Sequence, residues 1–152
     1  MYSKEDMKAL RIDFWGKLQG QMEKMRNPHG SKVNWMNYNT NIKHLYFRME
    51  ADENGARLCI DLQFPDKGIR ELYYEQFQEF QDMLSSKFKY LEWYPEWEHW
   101  NGKQISRIVV EQAGTDIRNK QDWDKMHLFL KLNFAKLDEF WVEFGEVFKN
   151  LK

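Results

Sequence analysis

His29, His44, His99 and His127 are the four imidazoles of the sequence, and they fall on four separate elements rather than at the short spacings that hold a metal ion. No metal ligand and no cofactor is assigned on that basis. Cys59, the lone cysteine, has no histidine partner in its sequence surroundings, and no GxSxG turn presents an activated serine. Neither GxGxxG nor GxxxxGKS occurs, so the glycine loops that cradle phosphates are also missing. Acidic residues are so numerous that a pair at glycosidase separation carries no information. Binding chemistry is better represented. The stretch YLEWYPEWEHWNG, residues 90–102, crowds three tryptophans and two tyrosines between glutamates. A nucleic-acid stacking platform needs basic residues between its exposed rings to follow the phosphates, whereas the interleaved charges here are mostly glutamate. Tyr94, His99 and Trp100 are the residues of this stretch left to contact a partner or a small ligand once the strand register is worked out.

The elements that must position these residues are legible from periodicity. Ser3 followed by Asp6 resembles a capping box, and Met7, Leu10, Phe14, Leu18, Met22 and Met25 recur at helical spacing, so a first helix is expected to run until Asn27-Pro28-His29-Gly30. A short extended piece around Val33 and Trp35 follows. Asp66 is the expected cap of a middle helix whose stripe is Ile69, Leu72, Tyr73, Phe77, Phe80 and Leu84. A long C-terminal periodicity passes through Trp123, Met126, Leu130, Phe134, Leu137, Trp141, Phe144 and Phe148, with its phase kept across Asn133. Phe129 and Phe140 lie on the flanks of that stripe, where they widen the buried face or meet a second copy.

Two Asn-Gly pairs, at 54–55 and 101–102, carry the chemistry of tight hairpin turns. Folding at the first pairs Ala51 with Leu58, Met49 with Ile60, Phe47 with Leu62 and Leu45 with Phe64, and sets Arg48 across from Asp61 on the reverse face. That pair reads as a cross-strand ion pair worth about 0–1 kcal/mol if exposed. Folding at the second turn sets Trp100 across from Lys103, Trp97 from Ser106, Pro95 from Ile108, Trp93 from Val110 and Glu96 from Arg107. Trp93 and Trp97 then belong to the core face and Tyr94 and Trp100 to the other. The resulting fold class is α+β: two β-hairpins plus a short strand in an antiparallel or mixed sheet, packed by an N-terminal, a middle and a long C-terminal helix.

With 42% hydrophobic and 16% aromatic residues among 152, the chain has the apolar volume for one substantial core, and the expected organisation is one α+β domain over residues 1–152. A net charge of -1 gives no support to nucleic-acid binding or to an anionic membrane surface. The charged N-terminus does not read as a signal peptide, no stretch reaches membrane-span length, and the single cysteine fits a reducing compartment, so a cytoplasmic location is expected.

The order of elements is similar to the core of the restriction-endonuclease-like nucleases, whose hairpin carries an acid and then an acid-x-lysine pair around metal. That analogy points to Glu50, Asp61 and Gln63, but Asp61-Leu62-Gln63 has glutamine where the lysine belongs. RIDFW in the first helix, NGARLCIDLQF, YLEWYPEW, and DW followed by FW in the last helix resemble the bacterial domain-of-unknown-function family numbered 4268 across nearly the whole chain. The resemblance implies a domain that occurs alone or follows nuclease-like domains, and it carries over no catalytic residue. The functional expectation is a noncatalytic interaction or accessory domain that docks a protein partner or a second copy. The alternatives are a divergent nuclease on Glu50, Asp61 and Gln63, and a small-ligand binder at Tyr94, His99 and Trp100.

Overall fold

The computed structural model describes residues 2–151. Helix α1 (Lys4–Met22) starts at the capping box, with Ser3 Oγ accepting from the Asp6 amide and the Asp6 carboxylate accepting from the Ser3 amide. Its buried residues are Leu10, Phe14, Leu18 and Met22, the spacing of one helical face. The short strand expected around Val33 and Trp35 does not form. Its segment makes only an isolated bridge between Arg26 and Lys32, because asparagine side chains take over the local backbone groups: Asn34 accepts from the Asn37 amide and Asn39 from the Asn41 amide. Trp35 still belongs to the core, its ring edge-on to Phe134 at 5.2 Å.

Strands β1 (Leu45–Asp52), β2 (Gly55–Leu62), β3 (Glu92–Glu98) and β4 (Gln104–Ala113) form one antiparallel sheet in the order β1-β2-β4-β3. Both hairpin registers differ from expectation. In the first, Met49 faces Leu58 rather than Ile60, Phe47 faces Ile60, Leu45 faces Leu62 and Ala51 faces Ala56. The loop is Glu53-Asn54, closed by the Asn54 amide donating to Asp52 Oδ1 at 2.8 Å. Gly55 instead opens β2 with φ 141, where an added Cβ would lie 1.9 Å from the Gln112 carbonyl oxygen of β4. The glycine therefore serves the close approach of a third strand. A slip of two residues keeps every side chain on its expected face, but Arg48 now faces Cys59 and Tyr46 faces Asp61.

In the second hairpin the loop is Trp100-Asn101-Gly102. The His99 amide donates to Lys103 O at 2.8 Å and Gly102 takes φ 82, so His99 rather than Trp100 faces Lys103. A bulge follows, because the register shifts between Tyr94 and Trp97 and leaves Pro95 and Glu96 together opposite the single residue Ser106. Proline, with no N–H to donate, is tolerated here because β3 is an edge strand, and Ser106 Oγ donates to Pro95 O at 2.7 Å. The extra residue moves Trp97 to the face opposite Trp93. Trp93 faces Ile108, not Val110; Trp97 faces Ile105, not Ser106; and Tyr94, not Glu96, faces Arg107.

The middle helix is divided at Phe80 (φ -95, ψ 13) into α2 (Lys67–Glu79) and α3 (Gln81–Lys87), with Asp66 Oδ1 capping the Ile69 amide as expected. Its buried face is turned from the expected stripe: Arg70, Tyr73, Tyr74 and Phe77 are inside, whereas Ile69 is exposed. A 3₁₀ turn (Lys120–Asp122) leads into α4 (Trp123–Lys149), which runs unbroken through Asn133. Phe140 is fully buried, so this flank of the stripe does widen the buried face. The helices cover one face of the sheet, joined to it by Phe47 against Trp141 and Tyr74 against Trp93, while Phe14 packs on Trp123 and Phe77 on Phe148. Among the described residues no helix is long and apolar enough to cross a membrane.

Candidate functional site

The reverse face of the sheet gathers most of the side chains singled out by the sequence. Because β2 lies between β1 and β4, Asp61 sits directly across from Arg107 and Arg57 across from Glu111. Arg107 grips Asp61 with two parallel bonds, Nε to Oδ1 at 2.7 Å and Nη2 to Oδ2 at 2.9 Å, and its Nη2 also reaches Glu50 Oε2 at 3.2 Å. Arg57 holds Asp52 in the same two-pronged way at 2.8 and 2.9 Å and meets Glu50 and Glu111 at 3.4 and 3.0 Å. Trp97, moved to this face by the bulge, lies 5.1 Å from the Arg107 guanidinium carbon, within cation–π range.

The expected Arg48–Asp61 pair is therefore replaced. Arg48 is exposed and stacks 4.5 Å from the Tyr46 ring, while Asp61 and Arg107 are only 1% and 4% exposed. Burial lifts the Asp61 carboxyl above the usual carboxylate range, and the hydrogen bonds and charge of Arg107 pull against that without cancelling it. Burial likewise works against the Arg107 charge, but its bonds to Asp61 and the neighbouring acids hold it more firmly protonated than a free arginine. The Cys59 thiol beside them is fully buried and pushed up, first by burial and then by Asp61, which removes the thiolate a nucleophile needs.

Glu50 and Asp61 thus meet, but on a shared arginine rather than around an open position. Gln63 lies beyond them, at the end of β2. Among the described residues no group of three or more His, Cys, Asp or Glu side chains is placed to hold a metal ion.

Gln63 belongs to a separate cleft of about 530 Å³ at the end of the sheet, between the start of α2 and the β3–β4 turn. His44, Lys67, Arg70, His99 and Lys103 line it, with Phe64, Pro65 and Ile105 supplying apolar wall. His44 is held there by a left-handed backbone, φ 73, and its carbonyl accepts from the Gln63 amide at 2.7 Å.

Residues 10–145 match a family described as Domain of unknown function (DUF4268). The chain belongs to that family. Comparison with the curated proteins and with the solved structures gave no match. The family match encloses both the charged face and the cleft.

In this DUF4268 chain the three residues expected to bind do not come together. Tyr94 lies on the charged face, its hydroxyl donating to Glu92 Oε2 at 2.6 Å and its ring 4.9 Å from Trp97. His99 and Trp100 stand at the hairpin tip with ring centroids 6.0 Å apart, and Trp100 is 88% exposed. Neither Arg107 as the partner of Asp61 nor Arg70 at the cleft is among the residues expected from the sequence. The clue to Arg107 was charge of opposite sign at the same parity on two strands. Arg70 gave no such clue, since a buried arginine in a helix reads like a solvated one.

Proposed function

We propose that this chain is a noncatalytic protein-interaction domain whose contact surface is the tip of the β3–β4 hairpin. The observation that carries the reading is the exposure of Trp100, 88%, on a turn fixed by two backbone hydrogen bonds of 2.8 and 2.9 Å. A large aromatic ring presented on a rigid turn is the kind of side chain that dominates protein contacts. The reactive-looking groups support the same reading, since Asp61 has both oxygens on Arg107 and Cys59 is buried. A divergent nuclease on Glu50, Asp61 and Gln63 draws less support, because a carboxylate held by two charge-assisted bonds is a poor candidate for a hydrated cation.

A second copy is the partner of choice, since a net charge of -1 puts little long-range repulsion between two chains. The test is sedimentation of the full chain over a concentration series beside Trp100→Ala. A wild-type dimer weakened by the substitution, with the melting temperature unchanged at dilutions where both chains are monomeric, supports the reading. A chain that stays monomeric, or a dimer indifferent to Trp100, overturns it.

A further inference from the structure

The cleft at the end of the sheet is lined by basic side chains. Lys67, Arg70 and Lys103 converge on it from α2 and the start of β4, His44 and His99 flank it, and no aspartate or glutamate is among its lining residues. Two acids outside the lining face its cations: Glu71, 4.0 Å from Lys67 Nζ, and Glu96, set on the bulge of β3. Glu96 stands 3.6 Å from Arg70 Nη2 and 4.0 Å from Lys67 Nζ, close enough for ion pairing but too far for hydrogen bonds, and its side chain is half exposed. Arg70 itself is 5% exposed. Its Nη1 donates to Phe64 O at 3.2 Å, but its Nε, also buried, has no hydrogen-bond partner among the described residues. A buried guanidinium with donor capacity unused is unusual, because buried polar groups are generally paired. The start of α2 is not the source of the attraction, since Asp66 already caps the Ile69 amide.

We infer that this cleft binds a small organic phosphate, with Lys67, Arg70 and Lys103 taking the phosphoryl group and Phe64, Pro65 and Ile105 packing against the organic body. A volume of about 530 Å³ falls within the range of small-molecule sites. Arginine supplies planar paired donors and the lysines supply point charges, a combination suited to a dianion. Glu96 stands in for that anion when the cleft is unliganded and swings aside on the exposed bulge when the phosphate arrives. The inference stands apart from the docking of Trp100, whose ring is not among the residues lining the cleft.

Calorimetric titration at low salt, with inorganic phosphate, AMP and adenosine as probes, tests the assignment on the full chain. Saturable binding of AMP and of phosphate, with AMP tighter and adenosine silent, is the expected result. Lys67→Ala and Lys103→Ala should each weaken AMP binding about tenfold, the loss of one charge-assisted contact. Both lysines are exposed, so these variants should melt like the wild type. Glu96→Gln should tighten AMP binding, an effect that a merely structural Glu96 would not produce. No saturable binding, or binding unaffected by both lysine changes, overturns the inference. A DNA duplex that binds through the same lysines more tightly than AMP, with affinity growing with its length, overturns it in favour of nucleic acid.

Discussion

Leu45, Phe47, Leu58, Ile60, Leu62 and Ile108 are buried on one face of the sheet by packing against α1, α2 and α4. Asp61, Arg107 and Cys59 reach the same degree of burial on the other face, where the neighbours are charged residues of the sheet itself, the Trp97 ring and the side chains of Val109 and Ile105. The two faces of β2 and β4 thus exclude water by different chemistry. On the helical face the gain comes from apolar area. On the charged face each ion loses its hydration and recovers that loss only through its partner, so the arrangement is robust when complete and fragile when one member is lost. A central strand can therefore alternate apolar and charged side chains along its length and still be buried on both sides.

Each face can be broken separately. The largest effect is expected from Phe134→Ala, which empties a fully buried site bordered by Trp35 and Tyr38 and should cost about 3–5 kcal/mol in urea unfolding. A loss under about 1 kcal/mol would mean that the helical face is loosely packed.

Arg107→Ala should come close behind, about 3–5 kcal/mol, because it strands Asp61 without its partner at a site 1% exposed. The double variant Asp61→Leu with Arg107→Met should recover most of that loss, since replacing a buried pair by apolar residues of similar size is often neutral or better. If Arg107→Ala costs no more than a surface ion pair, the charged face is solvated and the contrast between the faces fails. The folded-state carboxyl of Asp61 titrates above its ordinary value, so its contribution is fully present below the unfolded pKa and is lost as pH rises through the folded one.

The sequence told the two faces apart but misjudged what lay on one of them. Alternation along LYFRMEAD and GARLCIDL assigned Phe47, Met49, Leu58 and Ile60 to the helical side correctly even though the register was two residues off, because two is the period of the pleat. Trp97 went to the wrong face because a one-residue bulge reverses the alternation beyond it, and only the backbone shows that Pro95 and Glu96 share one partner. Asp61 read as solvated because its real partner comes from β4, 46 residues away, and strand order across a sheet is set by long-range packing that local periodicity does not carry. The cleft was hidden for the same reason: His44, Lys67 and Lys103 belong to three separate elements joined only by the fold. The capping box of α1 and the unbroken α4 were legible because both are local.

A smaller effect, with a sign of its own, comes from His127 on the helical side. Its Nε2 lies 3.1 Å from the Phe14 carbonyl oxygen and its Nδ1 3.3 Å from Gln21 Nε2, a neutral ring with both nitrogens engaged. Burial lowers its pKa, outweighing the opposing pull of the Phe14 carbonyl. A histidine that resists protonation when folded makes the unfolded chain bind more protons, so stability should fall as pH drops below the ordinary histidine value of 6.5 and level off below the folded one. Melts of the wild type and His127→Gln between pH 5 and about 8 should show this slope in the first and its loss in the second. A wild-type slope retained in His127→Gln would assign the titration to another group.

The smallest effect separates the tip from both faces. Trp93 packs against Tyr74 with ring centroids 6.0 Å apart on the helical side, and Trp97 lies over Arg107 on the charged side, so truncating either removes contacts that the sheet needs. Among the described residues Trp100 has only His99 as an aromatic neighbour, and its exposure of 88% leaves little buried area to lose. Trp100→Ala should therefore change stability by no more than about 0.5 kcal/mol, the range of surface substitutions, while Trp93→Ala and Trp97→Ala each cost clearly more. Thermal melts of the three variants give the order directly. Equal losses in all three would show that the tip is tied into the sheet as firmly as the strands, and would leave Trp100 explained by folding rather than by contact with another chain.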